Sequence, residues 1–393
     1  MSIDKVRIII MLLLILSFGT VINIFIPTII NLLLFIFVSY GVIKFNKKIK
    51  INHLYFSLFT SILILLHAFI THTNVTLYIN LIIKVFFSLF CISIYDYNTA
   101  CIRDSLIKVL RYIAVYSLIH YVIIIIIPNS LFVPTTTSDG GYYVRTIGYI
   151  LNLSANSNII GGINVIRNPS LFWEPGVLQT VMNILLYLEL FWCNSSFKRI
   201  ILPLIVIFTT VSTTGYALAF ILLICKNISF IMKSTKKMIL FLIIILISFP
   251  ILTYEISKKV DLNTSGTDSF GLRVYDIIMP LLVASDNLFG IGYDDNKLVD
   301  SFSKYNVNLF GTNIYIERAS SNSITSGCAY WGFLLMFFAF LVFYNQNIFP
   351  RKKLFLFMWL VLLSSEPLLY YYFSFLIFSI GLYNISNKYR IIR

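Results

Sequence analysis

Apolar runs as long as a bilayer is thick follow one another from Ile8 almost to the end of the chain, with only short polar interruptions. A helix crossing the hydrocarbon core needs roughly 20 such residues. Backbone polar groups in that core must be satisfied within the chain, so the pattern predicts an all-α polytopic membrane protein. About twelve transmembrane helices are predicted: Ile8 to Ile26, Thr28 to Ile43, Leu54 to Ile70, Val75 to Tyr95, Tyr112 to Ile127, Pro175 to Phe191, Ile200 to Val211, Tyr216 to Cys225, Met238 to Tyr254, Ile324 to Tyr344, Leu354 to Leu363 and Pro367 to Tyr383. The seventh, eighth and eleventh are short for full spans. Only 12% of the residues are charged, against roughly 25% in a soluble domain, which excludes a soluble enzyme, a disordered chain and a coiled coil. Residues 1–393 read as a single integral membrane domain.

The formal net charge is +14, which fits nucleic-acid binding, adhesion to anionic lipid, or the Lys/Arg bias that orients membrane proteins. Placement decides among them. With a cytoplasmic N-terminus, the segments touching the cytoplasm hold 21 of the 30 basic residues, accompanied by only Asp4, Asp96 and Asp104. The positive-inside rule therefore predicts a multi-pass protein of the cytoplasmic membrane with both termini inside, and no nucleic-acid partner. Lys5 and Arg7 ahead of an apolar run resemble a signal peptide, but no small-x-small site follows before Asn23, so an uncleaved first helix is expected. Cys328 alone among the five cysteines is expected near the outer face, and no CxxC suggests a metal or redox site.

Two long loops are expected on the outer face, opposite the cytoplasm, at 128–174 and 255–322. Loops of that length without a role are uncommon, so the chemistry is expected there. The first carries Asp139, Arg145, Arg167 and Glu174, with Tyr142 and Tyr143. It ends in Arg167-Asn-Pro-Ser-Leu-Phe-Trp-Glu-Pro-Gly176, running straight into a predicted helix. Pro175 suits a first helical position, where its missing N–H is no loss. Glu174 either caps the helix amides or takes a catalytic part, and Trp173 suits an interfacial anchor. In the second loop, Leu272, Ile278, Leu281 and Leu282 recur at near-helical spacing around Arg273, predicting an amphipathic helix on the outer membrane surface. The Gly290-Ile-Gly292 turn would bring backbone amides to the cleft, though a lone GxG is weak as an anion signature. Lys84 is the deepest charge within a span. Glu366-Pro367 is explained by capping, and His67 and His120 by structural hydrogen bonds.

Four local patterns, in chain order, resemble the Wzy-type O-antigen and capsule polymerases, which share a superfamily with the O-antigen ligases. They are Arg167 with Ser-Leu-Phe-Trp-Glu-Pro-Gly; Ser212-Thr-Thr-Gly-Tyr-Ala-Leu-Ala; Arg273 followed by Asn287-Leu-Phe-Gly-Ile-Gly-Tyr293; and Ser321-Asn322-Ser323 with Trp331-Gly332. Each is short and degenerate; their order and their placement on one face carry the resemblance. Ser321-Asn322 stands where ligases typically have His-Asn, which favours a polymerase over a ligase. The Arg with a Gly eleven positions on, described in some polymerases, is not reproduced by Arg145, Arg167, Arg273 or Arg318.

The resemblance implies a GT-C-like fold and glycosyl transfer at the periplasmic face. A growing glycan on undecaprenyl diphosphate would pass to a fresh lipid-linked repeat unit, with no cofactor and no metal. Arg167 and Arg273 are expected to hold the diphosphate, since guanidinium forks match phosphate oxygens and stay charged. Glu174 is the first candidate for general base, ahead of Glu317. Arg145, Arg318, Asn322, Tyr142 and Trp173 are expected to bind substrate. Membrane lipid, a chain-length-regulating copolymerase and a flippase are the expected partners. An O-antigen ligase and a lipid-linked-oligosaccharide flippase or transporter are the alternatives.

Overall fold

The computed structural model describes residues 1–136, 143–153, 158–160, 163–193, 195–231, 269–305, 308–309, 312–313 and 320–390. Fourteen α-helices lie among the described residues: α1 Ile3–Leu16, α2 Val21–Phe25, α3 Pro27–Lys44, α4 Ile51–Ile70, α5 Val75–Ile94, α6 Thr99–Ile126, α7 Pro175–Phe191, α8 Phe197–Thr209, α9 Thr213–Ile231, α10 Ser269–Asp286, α11 Asp295–Phe302, α12 Ser323–Asn345, α13 Lys352–Ser365 and α14 Tyr372–Arg390. Five of them (α3, α4, α5, α6 and α12) are long and apolar enough to cross a membrane. The predicted span Met238 to Tyr254 lies outside the described residues.

Helix starts follow local chemistry. Pro175 and Pro27 occupy the first positions of α7 and α3, while Asn74, Asn98, Asp294 and Asn322 accept backbone N–H bonds as N-caps of α5, α6, α11 and α12. Several predicted spans differ: α6 begins at Thr99 rather than Tyr112, and α9 runs over Thr213–Ile231 rather than Tyr216 to Cys225. The first span is broken between α1 and α2, where Gly19 turns to φ +75° and the Trp173 ring lies 2.7 Å from the position a Cβ would take. The last begins at Tyr372 rather than Pro367, because residues 366–371 form a turn.

Helix α7 is the axis of the molecule: every residue from Pro175 to Leu190 is buried, against α6, α8 and α9. Around it α1 packs on α3 and α6, α5 on α4 and α14, and α12 on α13 and α14. Between apolar helices in lipid, close backbone approach replaces hydrophobic burial as the source of affinity. Gly381 of α14 supplies such an approach, since a Cβ there would stand 2.1 Å from the Val342 carbonyl oxygen of α12.

One buried ion pair fastens this axis. Arg111 of α6 grips Glu189 of α7 through Nε–Oε1 at 2.6 Å and Nη2–Oε2 at 3.0 Å, with the Glu189 side chain fully buried and that of Arg111 about one-third exposed. Removing one partner strands the other charge. Glu189→Ala is expected to destabilise the protein by roughly 3 kcal/mol, read as a lowered unfolding temperature in detergent.

The loop regions hold short strands. β1 Val133–Thr136, β2 Tyr143–Ile147 and β3 Leu151–Leu153 form an antiparallel sheet with Arg145 opposite Pro134 and Leu153. Two small hairpins follow, at β4 Asn158–Ile160 with β5 Ile163–Val165, and at β6 Asn308–Leu309 with β7 Thr312–Asn313. Helix α10 forms where the periodicity predicts it and runs through Pro280. Its buried stripe is Tyr275, Met279 and Val283 with Asp276, packed on Leu298 and Phe302 of α11 and on Ala329 and Tyr330 of α12. Leu272, Ile278, Leu281 and Leu282 are only half-buried.

Candidate functional site

The segment leading into α7 is held by a buried polar network. Asn168 donates through Nδ2 to the Ser117 carbonyl and to Thr209 Oγ1, at 3.0 and 2.9 Å; its N–H reaches the Thr209 carbonyl at 3.0 Å. Its Oδ1 accepts the Ser170 N–H and faces His120 Nδ1 at 3.2 Å. His120 Nε2 accepts the N–H of Asn152, so in the neutral ring the proton sits on Nδ1 and points at Asn168. His120 is thus a structural histidine. Because Asn168 is tied to α6 and α8 together, the neighbouring Arg167 leaves the backbone at a fixed point. Its Nε donates to the Thr210 carbonyl at 3.1 Å, leaving the two terminal nitrogens of the guanidinium for the site.

Thr210 is the C-cap of α8, and Ser212, two residues on, offers its hydroxyl to the Gly215 N–H at the start of α9. Gly215 lies against Gln179 of α7, with a notional Cβ 2.9 Å from Gln179 Cβ. The Ser-Thr-Thr-Gly pattern therefore closes the α8–α9 turn onto α7, directly behind Arg167. From the other loop, Arg273 of α10 reaches across to donate through Nη1 to the Ser365 carbonyl at 3.2 Å. Ser323, in the first turn of α12, donates to the carbonyl of Glu366 at 2.9 Å. Three of the four patterns meet at the α13–α14 turn, through Gly176, Arg273 and Ser323, while Ser212 to Gly215 packs on α7 at Gln179.

At that turn stands a residue the sequence reading assigned to capping. Glu366 is 3% exposed. Its carboxyl lies on the first turn of α7, where a Cβ at Gly176 would be 1.8 Å from Oε1. Burial, and then the neighbouring Glu174, push its carboxyl up to about 8, against the opposing pull of Arg273 and Arg167. Burial likewise pulls the Arg167 guanidinium down, with Glu174 and Glu366 holding it charged and Arg273 opposing them. Two cations and two carboxyls, one of them neutral below its raised pKa, form a site of net charge +1 suited to an anion. Among the described residues, no group of three or more His, Cys, Asp and Glu could hold a metal ion.

Glu174 is the N-cap residue of α7, yet its side chain makes no capping hydrogen bond and is exposed. Trp173 is buried at 7%, against Gly19 and 6.4 Å from the Tyr371 ring. Asn322 is buried and its Oδ1 accepts the N–H groups of Ile324 and Thr325. Arg145 is exposed on β2, in the sheet rather than in the cluster. Tyr142, Glu317 and Arg318 lie outside the described residues.

The Gly290-Ile-Gly292 amides do not face a cleft. Ile291 and Gly292 donate to the carbonyls of Ala329 and Tyr330 at 2.9 and 3.1 Å, joining the turn to the kink of α12 at Gly332 (φ 74°, ψ 162°). His67 fastens the same turn, with Nε2 on the Phe289 carbonyl and Nδ1 on the Tyr78 hydroxyl. The Lys84 ammonium donates to the Tyr370 carbonyl at 2.8 Å and lies over the Tyr372 ring.

An apolar crevice of about 120 Å³ opens between α4, α5, α12 and α14, lined by Leu81, Val85, Trp331, Met336, Leu369 and Tyr370 among others. Leu369 and Tyr370 belong to the turn that carries Glu366, so this turn has a charged side and an apolar side. Comparison of the chain with protein-family models, with curated proteins and with solved structures finds no match.

Proposed function

We propose that this protein is a surface-polysaccharide polymerase of the Wzy type in the bacterial cytoplasmic membrane, with about twelve spans, both termini cytoplasmic and the Arg167–Arg273 site on the periplasmic face. The observation that carries this reading is the approach of two separate loops to one turn: Arg273 of α10 is bound to the Ser365 carbonyl, and the segment that holds Arg167 and Glu174 leads into the turn of α7 on which the Glu366 carboxyl lies. Such a pair of arginines matches a diphosphate, whose charge grows as the bond to the sugar breaks. The crevice beginning at Leu369 and Tyr370 supports a substrate whose anionic head is attached to a long apolar chain.

In the reaction the acceptor hydroxyl oxygen forms a bond to the donor's anomeric carbon, while the bond from that carbon to the diphosphate oxygen breaks. The diphosphate leaves with the electron pair and is held by Arg167 and Arg273. The hydroxyl proton passes to Glu174, the exposed carboxylate of the two and the one an incoming sugar can reach. Protein reconstituted in vesicles with purified lipid-linked repeat unit is expected to build a ladder of polymers, unaffected by EDTA. Folded protein that makes no ladder overturns the polymerase reading, and a strict metal requirement overturns charge neutralisation by arginine alone.

A further inference from the structure

Glu366 has no part in that chemistry, and its placement asks for one. Its backbone is held on both sides: the N–H donates to the Leu362 carbonyl at 3.2 Å, and the carbonyl accepts from Leu368 N–H at 2.8 Å and Ser323 Oγ at 2.9 Å. Its carboxyl fits only because residue 176 is glycine. Among the described residues, the charged groups that act on it are Arg167 from the loop before α7, Glu174 from the α7 N-cap and Arg273 from α10; Tyr216 of α9 acts on Arg167, and α12 contributes the uncharged Ser323. With every group ionised, two guanidiniums face two carboxylates and nothing remains to attract an anion.

We propose that Glu366 is a positioning residue for the anion site: buried against the first turn of α7, close to the Ser365 carbonyl that holds Arg273, its carboxyl competes with the substrate's diphosphate for the Arg167 and Arg273 guanidiniums and must be neutral for the diphosphate to bind. This deepens the diphosphate reading of the site and rests on it. Anion binding and protonation of Glu366 are then linked, so binding above the carboxyl's raised pKa draws a proton from solvent onto Glu366. Glu366→Gln keeps the shape and the neutral state at every pH.

The test is the affinity of detergent-solubilised full-length protein for inorganic diphosphate at pH 7 and pH 9, wild type against Glu366→Gln. Diphosphate itself loses protons over this range, so the ratio of the two proteins is the readout. The expected result is near-equal affinity at pH 7 and about tenfold weaker binding by wild type at pH 9. The same ratio at both pH values overturns the proposal, as does a folded Glu366→Gln that binds no diphosphate at pH 7, or a wild type that binds none. Should the glutamine variant fail to fold, sulfate, whose charge is fixed over this range, replaces diphosphate on wild type. Calorimetry at pH 8.5 in buffers of different ionisation enthalpy is then expected to show proton uptake on binding, and zero uptake overturns the proposal. Protein that binds diphosphate in this pH-dependent way but builds no ladder sinks the polymerase reading alone.

Discussion

On the proposed polymerase function, Arg167→Ala is expected to abolish polymer while leaving the protein folded and inserted. Arg167 joins the Thr210 carbonyl to the anion site, so truncation removes both a positive charge and a fixed fork. Loss of one preorganised donor to a developing oxyanion typically lowers turnover by about 10²–10³-fold. The Asn168 network that shapes the loop uses none of the Arg167 side chain, being bound to Ser117, Thr209 and Ser170, and is expected to survive the change. Arg167→Lys is expected to restore only part of the activity, since a compact ammonium keeps the charge but lacks the planar fork that binds Thr210 through one edge and presents two parallel donors to phosphate. Arg273→Ala is expected to act in the same direction, from an exposed position on α10. Polymer ladders from cells making each variant, with membrane protein level and unfolding temperature measured alongside, check this. Normal ladders from both alanine variants would remove the diphosphate clamp.

How far this site was legible in the sequence depends on the range of the contacts. Pro175 marks the start of α7 correctly, because a first-turn proline acts through its own backbone. Of the four patterns, those of Arg273 and Ser323 and the Glu-Pro-Gly entry to α7 meet at one turn, and Ser212 to Gly215 closes its own turn beside α7. Glu366 was missed because a glutamate before a proline at a helix end is explained locally. The available clue was its likeness to Glu174-Pro175, a second Glu-Pro step predicted on the same face. Two positions have local packing contacts that the sequence does not show: Asn322 caps a helix and Trp173 lies over Gly19, because a short polar side chain at a helix start and a large ring beside a glycine serve local structure. The buried stripe of α10 escaped because Asp276, a charged residue, lies in it. Periodicity follows apolar residues and passes over an acid that hydrogen bonds make tolerable: here Ser321 donates to its carboxylate.

Gly332→Ala is expected to be equally damaging by an opposite route, through the fold. Gly332 breaks α12 at φ 74°, ψ 162°, a region essentially closed to residues with a side chain. A Cβ there would stand 2.2 Å from the Leu288 carbonyl oxygen and 2.9 Å from the Phe289 carbonyl carbon, while one at Gly290 would stand 2.3 Å from the Tyr330 carbonyl oxygen. The two backbones interlock, and neither obstacle is the yielding end of a side chain. Backbone strain of about 1–3 kcal/mol, with loss of the two hydrogen bonds from Ile291 and Gly292 at about 1 kcal/mol each, gives roughly 4 kcal/mol of destabilisation. The turn that would be forced away directly follows α10, and α10 carries Arg273 to the Ser365 carbonyl. Polymer is therefore expected to fall as it does in Arg273→Ala, but with a lowered unfolding temperature and faster proteolysis of the 287–293 turn. That combination separates a positional loss of Arg273 from removal of its charge. An alanine variant with unchanged unfolding temperature and a full ladder would mean that α10 holds Arg273 in place through its packing on α11 and α12 alone, without the interlocked turn.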